Sequence, residues 1–422
     1  MDMSRYTALN ASTASHCYER PIEHQPVAHT DVAIVGAGVV GLTLACALRH
    51  SGLSVAIIET QKQDQVGDRD RAYAFSPMSA RIFQQMGLWE QVGPYITHFQ
   101  RVRMSDADYG KAVNFYPTDS PVDAVYYGAE HRVLVRALQG LANHIHRITT
   151  YYETTLADIQ ATATTTQLTL ECDGQKQTLH TQLLVGADGA RSKIRDYAGI
   201  RTSGWAYWQS CITTVLAPAK SHQNTAYEKF WPSGPFAILP IPGNRCQVVW
   251  TAPHEEAAAM LALPQDAFMA KLRHRYGDHM GELTMIKPPM MFPVRLMHSE
   301  RYVQPGIALI GDSAHCCHPV GGQGLNMGIR DAAALARVLH AAHACQEPIG
   351  DLRVLKRYER WRRPENWLIL AMTDLLNRMF SNQVWPLLWL RRSGLWIIEH
   401  TSPLKRMILR VMTGFFGQQP IV

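Results

Sequence analysis

Four short apolar runs set the rhythm of this chain, and three of them lead straight into a glycine turn. Asp31-Val32-Ala33-Ile34-Val35 reads as a buried strand, Gly36-Ala37-Gly38-Val39-Val40-Gly41 follows at once, and residues 42–50 have the composition of a helix. Residues 52–59 hold a second β-rich run that closes on Glu59. Leu183-Leu184-Val185 leads into Gly186-Ala187-Asp188-Gly189, with a helix start at Ser192-Lys193-Ile194-Arg195. Ile307-Ala308-Leu309-Ile310 leads into Gly311-Asp312, and a glycine-rich stretch then runs to Asn326 before helix formers at helical spacing over 327–336.

Between these runs the pattern changes. A helix is expected after Ser76 through Leu88, and an amphipathic one over 130–138, whereas 101–128 reads as mixed and turn-rich. Alternating Thr, Leu and Val positions over 148–180 predict a β-meander. From Gly204 to Pro293, runs such as Phe236-Ala237-Ile238-Leu239-Pro240 and Gln247-Val248-Val249-Trp250 predict a mostly antiparallel sheet with a helix near 266–276. After Asp351 the chain turns helical, basic and aromatic: Arg357 to Arg363, then Trp385, Trp389, Trp396, Phe415 and Phe416, with Arg391, Arg392, Lys405, Arg406 and Arg410 interleaved. Such helices suit a membrane interface, and equally an oligomer interface or a helical cap.

The glycines carry chemistry. GxGxxG, with a strand before it, a helix after it and an acid about 20 residues on, is a dinucleotide-binding arrangement. Gly36 makes the tight turn, Gly38 lets a pyrophosphate approach, Gly41 allows close helix–strand packing, and Glu59 accepts hydrogen bonds from a ribose. Arg71, soon after the second strand, is placed to reach the same ligand. Asp188 ends a strand where open α/β sheets bind ligands. Gly311 to Gly324 lets backbone N–H groups approach a planar or anionic cofactor at a helix N-terminus. Cys316 and Cys317 between His315 and His318 look like a metal cluster, but adjacent ligands rarely close a tetrahedral site, so no metal is expected. The two histidines read as structural hydrogen-bonders, and no catalytic base is named.

Composition narrows the classes. With 422 residues, 46% hydrophobic and 18% charged, the chain holds a large core. A net charge of +6 without a basic block, and no recognised module, argue against nucleic acid. Eight scattered cysteines without CxxC point to a reducing compartment. Residues 1–29 are polar and read as a flexible arm without a secretory h-region, and no run is long enough to cross a bilayer. The expected location is cytoplasmic, or peripheral on the inner face of a membrane.

GAGVVG with Glu59, GADGARSKIR at 186–195 and GDSAHCCHPVGGQGLN at 311–326, in that order, resemble the class A FAD-dependent aromatic monooxygenases, with a fold like that of para-hydroxybenzoate hydroxylase. Asp70-Arg71-Ala72, Gly87-Leu88-Trp89, the stretch Phe230 to Pro240, His318 to Asn326, Leu376 to Asn382 and Arg392-Ser393-Gly394-Leu395 are similar to the ubiquinone-biosynthesis hydroxylases within that class. The resemblance implies an α/β fold: a Rossmann-like FAD-binding domain (30–100, 130–203 and 294–350), an inserted substrate domain (101–129 and the sheet 204–293) and a C-terminal helical region (351–422).

It further implies that Gly36, Gly38, Gly41 and Glu59 hold the ADP part of FAD, and that Arg71 and Arg132 contact its backbone. Asp188 and Gly189 form a motif bearing also on NAD(P)H use, and Asp312 binds the ribityl chain. Pro319, Gly321, Gly322, Gln323, Gly324, Leu325 and Asn326 lie beside the isoalloxazine. Ser313, Cys316 and Cys317 depart from the family pattern and read as tolerated. The implied reaction is hydroxylation of a polyprenyl phenol or quinol with NAD(P)H and O2 through a C4a-hydroperoxyflavin. A membrane surface, other quinone-biosynthesis proteins and a second copy of the chain are the implied partners. The alternatives are a hydroxylase of a soluble phenol and a mainly structural flavoprotein subunit.

Overall fold

Val32, Ala33 and Ile34 lose all solvent contact, and Val55 to Ile58 are buried without interruption, the signature of strands covered on both faces. The computed structural model describes residues 28–69, 71–107, 109–119, 122–161 and 165–420, so the arm expected over 1–29 lies almost wholly outside the described residues, as does Asp70. Ala28–Val35 is the centre of a parallel arrangement. Gln175–Gly186 lies on one side of it and Val55–Ile58 on the other. Ile307–Leu309 and Ile148–Tyr151 extend the sheet outward in the same sense. Helices Val39–Ala47, His131–Asn143 and Gln323–Ala344 contribute to the single large core around it.

The expected meander over 148–180 is corrected in part. Thr155–Ala161, Thr166–Cys172 and Gln175–Gly186 do run antiparallel in succession. Ile148–Tyr151 does not join them but pairs parallel with Val55–Ile58. Four residues of Ile-Thr-Thr-Tyr suit either edge of the same sheet, and the neighbour is set only by the tertiary fold.

A second sheet is built on two 17-residue strands, Thr202–Pro218 and Leu283–Ser299, paired antiparallel with each other. Arg245–Pro253, Gly234–Ile241 and Thr225–Trp231 follow in antiparallel order. The stretch 101–128, read as turn-rich, supplies two strands here: Arg101–Asp106, parallel to Thr225–Trp231, and Ala112–Phe115. A third, small sheet joins Ala72–Phe75, Tyr127–Glu130 and Thr97–His98.

The C-terminal region forms helices Leu352–Phe380, Trp385–His400 and Ser402–Thr413. Their charges are not all outward. Arg362 is fully buried, and Lys405 turns inward to Asp119 and Glu399 at 3.6 and 3.4 Å. Arg391 pairs with buried Asp106 at 3.0 Å and donates to the carbonyls of Met379, Phe380 and Asn382. Arg392 meets the other oxygen of Asp106 at 3.0 Å. A buried cation without its anion is costly, so this pair fixes the Trp385–His400 helix to the second sheet.

Asp106→Ala is expected to destabilise the protein by about 3–5 kcal/mol, because Arg391 is left buried and unpaired. Thermal and urea unfolding would check this; a loss below about 1 kcal/mol, the value of a surface pair, would show that the tie is not structural.

Candidate active site

Two of the three glycines in 36–41 are demanded by the protein itself. A Cβ at Gly36 (φ +107°) would overlap the Ala187 carbonyl, and one at Gly41 would overlap the Gly36 carbonyl. Gly38 differs: nothing lies within 4 Å of where its Cβ would stand. It is the N-cap of Val39–Ala47, so the open space beside it faces the unpaired N–H groups of a helix start. That is a cradle of the kind a pyrophosphate fills. Glu59 closes the turn from behind. Its Oε2 accepts from Ala37 N at 2.8 Å, and its Oε1 accepts from Gln61 N at 3.0 Å and Thr60 Oγ1 at 3.2 Å. A carboxylate has about four acceptor positions, so one remains for a ribose.

Arg71 and Arg132 come together. Both line a cleft of about 200 Å³ with Gln247 and Lys287, between the 67–72 segment and the second sheet. Arg71 lies over the Phe292 ring at 5.0 Å, and Arg132 is held by Glu130 at 3.3 Å.

The chain crosses from one sheet to the other at the third motif. Ile307–Leu309 belongs to the parallel sheet, and only five residues after it His315–Cys316 pairs with Met297 and His298 of the second sheet. Asp312 occupies this crossing. Its side chain remains accessible, yet protein atoms surround it closely enough that burial pushes its carboxyl up, against the pull of His315, Arg71 and Arg295. It therefore lines a recess, not an outer surface.

Ser313, which read as a tolerated departure, links the second and third motifs. Its Oγ accepts from Gly189 N at 3.0 Å and donates to Asp188 Oδ1 at 2.9 Å. Arg195 and Arg295 extend the link, donating to the Ser313 and Ala190 carbonyls. Arg195 closes the second motif, whereas Arg295 carried no local signal, because it acts only where distant loops meet.

Past Cys317 the loop turns through two left-handed glycines, Gly321 and Gly322, into the 22-residue helix Gln323–Ala344. A Cβ on Gly322 would press on Ala74. Pro319, Gly321, Gly322, Gly324 and Leu325 keep part of their surface accessible, so the helix start is lined with backbone. Gln323 and Asn326 are fully buried, and their side chains serve the protein. Asn326 accepts from Ser76 N and Ser79 Oγ and donates to the Ala74 and Gly322 carbonyls, which uses all its capacity. The Gln323 amide donates to Tyr126 Oη, Gly321 O and Met412 O. These two therefore shape the loop, and direct side-chain contact of Asn326 with a cofactor has no free atom to use.

His315, Cys316 and His318 diverge. His315 Nε2 meets Asp331 Oδ2 at 2.5 Å, Cys316 Sγ donates to Asp312 O, and His318 stands edge-on to Tyr207 at 5.0 Å. Burial holds the His318 imidazole neutral, down to about 3, with Nδ1 accepting from Val320 N.

An open phosphate cradle, a basic cleft, a recessed carboxylate and a backbone-lined helix start fit FAD in an extended pose. The comparisons agree. The FAD binding domain family matches residues 29–373, and this chain belongs to it, among the FAD-dependent aromatic monooxygenases. It is 48% identical to an uncharacterized protein of Synechocystis over 390 residues (92% of this chain, 94% of that one). It is 37% identical to the ubiquinone hydroxylase UbiL of Rhodospirillum rubrum (91% and 89%) and 32% identical to the 3-demethoxyubiquinol 3-hydroxylase of Escherichia coli (91% and 98%). In fold it resembles the p-nitrophenol 4-monooxygenase PnpA of Pseudomonas putida, with a TM-score of 0.79 at 17% identity, covering 93% of this chain and 99% of that one.

Gly38→Ala is expected to keep the melting temperature of the FAD-free protein while weakening FAD binding about tenfold or more, since the added methyl meets only the ligand. Gly41→Ala should lower the melting temperature itself. Flavin fluorescence titration beside thermal unfolding separates the two, and equal FAD affinity in Gly38→Ala would remove the cradle from the site.

Proposed function

We propose that this protein hydroxylates the aromatic ring of a polyprenylated phenol or quinol intermediate of ubiquinone biosynthesis, with NAD(P)H and O2 as cosubstrates. FAD, when bound, supplies the electron transfer and oxygen activation that side chains cannot. The chain's own residues bind and orient it. Gly38 and the Val39–Ala47 helix start take the pyrophosphate, Glu59 the ribose, Arg71 and Arg132 the phosphate charge, and Asp312 the ribityl hydroxyls. The backbone of Gly321 to Leu325 holds the flavin ring edge, where a helix N-terminus favours negative charge. Asp188 and Gly189 stand by for the nicotinamide cosubstrate.

One observation carries the substrate class. The apolar cluster that seals the flavin loop at Val320 also holds Phe380, Leu395, Leu409 and Met412, so it continues into the C-terminal helices. The outward face of Trp385–His400 is itself apolar: Trp385 (71% exposed), Trp389 (64%), Leu390, Trp396 and Ile397, while Arg391 and Leu395 turn inward. A helix with its apolar side outward needs a cover. Arg406 and Arg410 flank a neighbouring groove with Met407 and Phe416. Aromatic and basic groups together suit an anionic lipid surface, where a prenyl tail resides. No helix among the described residues is long and apolar enough to cross a membrane.

Cells lacking the protein are expected to accumulate a polyprenyl phenol or quinol missing one ring hydroxyl, seen by mass spectrometry of the quinone pool. A normal pool would transfer the reading to a soluble phenol. Separately, Trp385→Ser with Trp389→Ser should abolish flotation with anionic liposomes and leave FAD content unchanged; undiminished flotation would refute the lipid face.

A further inference from the structure

One carboxyl on the sheet face turned toward the flavin loop forms no ion pair among the described residues. Thr225–Trp231 alternates strictly. Tyr227 and Lys229 point to one side, where Tyr227 meets the His279 ring and Lys229 Nζ donates to the carbonyls of Arg275 and Tyr276. Ala226 and Phe230 point to the other, into the apolar cluster that contains Val320, Phe99 and Tyr126, and both are sealed. Glu228 lies between them on that same side, yet keeps part of its surface accessible. Of the three side chains on this side of the strand, Glu228 alone is left within reach of a ligand.

Its strand partners are Ala237 and Met104, neither of them charged. The Gly321 backbone of the flavin loop lies close enough to act on its carboxyl. Of the titratable groups on adjoining elements, Cys211 is a buried thiol pushed up to about 12, and the His318 imidazole is held neutral. Asp106 is taken by Arg391 and Arg392, Lys405 by Asp119 and Glu399, and Arg103 registers with Tyr227 on the opposite face. Glu228 forms no ion pair among the described residues. Burying an acid without a paired cation costs stability.

Resting on the reading of a phenolic substrate, we propose that Glu228 is the proton acceptor for the ring hydroxyl of the bound phenol. The O–H bond breaks, the proton bonds to a Glu228 carboxylate oxygen, and the electron pair stays on the ring oxygen. The ring gains electron density at its ortho and para carbons, where an electrophilic oxygen is received, and no oxidation state changes in this step. Burial raises the Glu228 carboxyl to about 8, against the pull of the Gly321 backbone, which places it near the working pH of a proton-transfer group.

The test uses FAD-loaded protein and a short-chain prenylated phenol. Glu228→Gln should bind FAD and the phenol within about twofold of wild type, seen as flavin absorbance changes. Its hydroxylated product should fall about a hundredfold. Wild-type kcat/KM should rise with pH through about 8, and the variant should lose that limb. A stability readout tests the ionisation itself. A raised carboxyl stabilises below its unfolded value and loses that contribution as pH rises through about 8, so wild type should melt lower at about pH 9 than at about pH 6, and Glu228→Gln should flatten this difference. Product within about threefold of wild type, with the pH limb retained, would overturn the assignment. A wild-type protein that binds and hydroxylates no phenol would overturn the functional reading first, and Glu228 with it.

Discussion

Asp331 is the anchor on which the flavin loop depends. It is completely buried, yet four donors converge on it: Gly311 N at 3.2 Å, His315 Nε2 at 2.5 Å, Arg362 Nε at 2.8 Å and Asn366 Nδ2 at 2.9 Å. Burial alone would push this carboxyl up, but the charges of His315 and Arg362 and the hydrogen bonds from His315 and Asn366 hold it well below the usual carboxylate range. The donors come from the crossing turn, the first residues of the loop and the long C-terminal helix. One charge therefore fixes the place where two sheets and the helical region meet. Tyr358 strengthens the same junction by donating to the Leu309 carbonyl at 2.9 Å. A buried network this dense ties its members together, and losing Arg362 would leave the Asp331 carboxylate buried without its full countercharge.

Rigidity there matters because the loop is built from backbone. Gly321 and Gly322 have no side chains to pin them, so position must come from neighbours: Asn326 clamps Gly322 to Ala74, and Gln323 clamps Gly321 to Tyr126 and Met412. A soft glycine loop is thereby held between fixed posts. Under the proposed function, a planar ring would meet preplaced N–H groups, which avoids the entropy of ordering them on contact. The same posts tie the loop to the C-terminal helices through Met412, which connects the proposed lipid-facing surface with the proposed chemistry.

Much of the site lay open in the linear chain. GxGxxG between Ala28–Val35 and Val39–Ala47 could be read because its constraint is local: a turn, a helix start and an acid at fixed distance. Ser313 could not, since its hydroxyl gains meaning only when the Asp188-Gly189 turn is brought to it from 124 residues away. Arg391 and Lys405 could not be placed for a related reason. A cation in an aromatic, helical stretch gives no sign of facing inward until Asp106 or Asp119 is placed beside it. Glu228 is hidden similarly, because alternation shows which side of its strand it takes but not that the side faces a glycine loop.

By itself the sequence determined the α/β class, the three glycine motifs in order, and the apolar alternation of a second sheet, since these follow from periodicity and backbone stereochemistry within a few residues. Tertiary structure alone decided that Arg101–Asp106 joins the second sheet and Ile148–Tyr151 the first, that Gln323 and Asn326 turn inward as posts, and that the basic residues of the C-terminal helices divide between buried ties and surface. Each of those outcomes depends on a partner distant in the chain, and electrostatic and packing energies are fixed by the environment that partner creates.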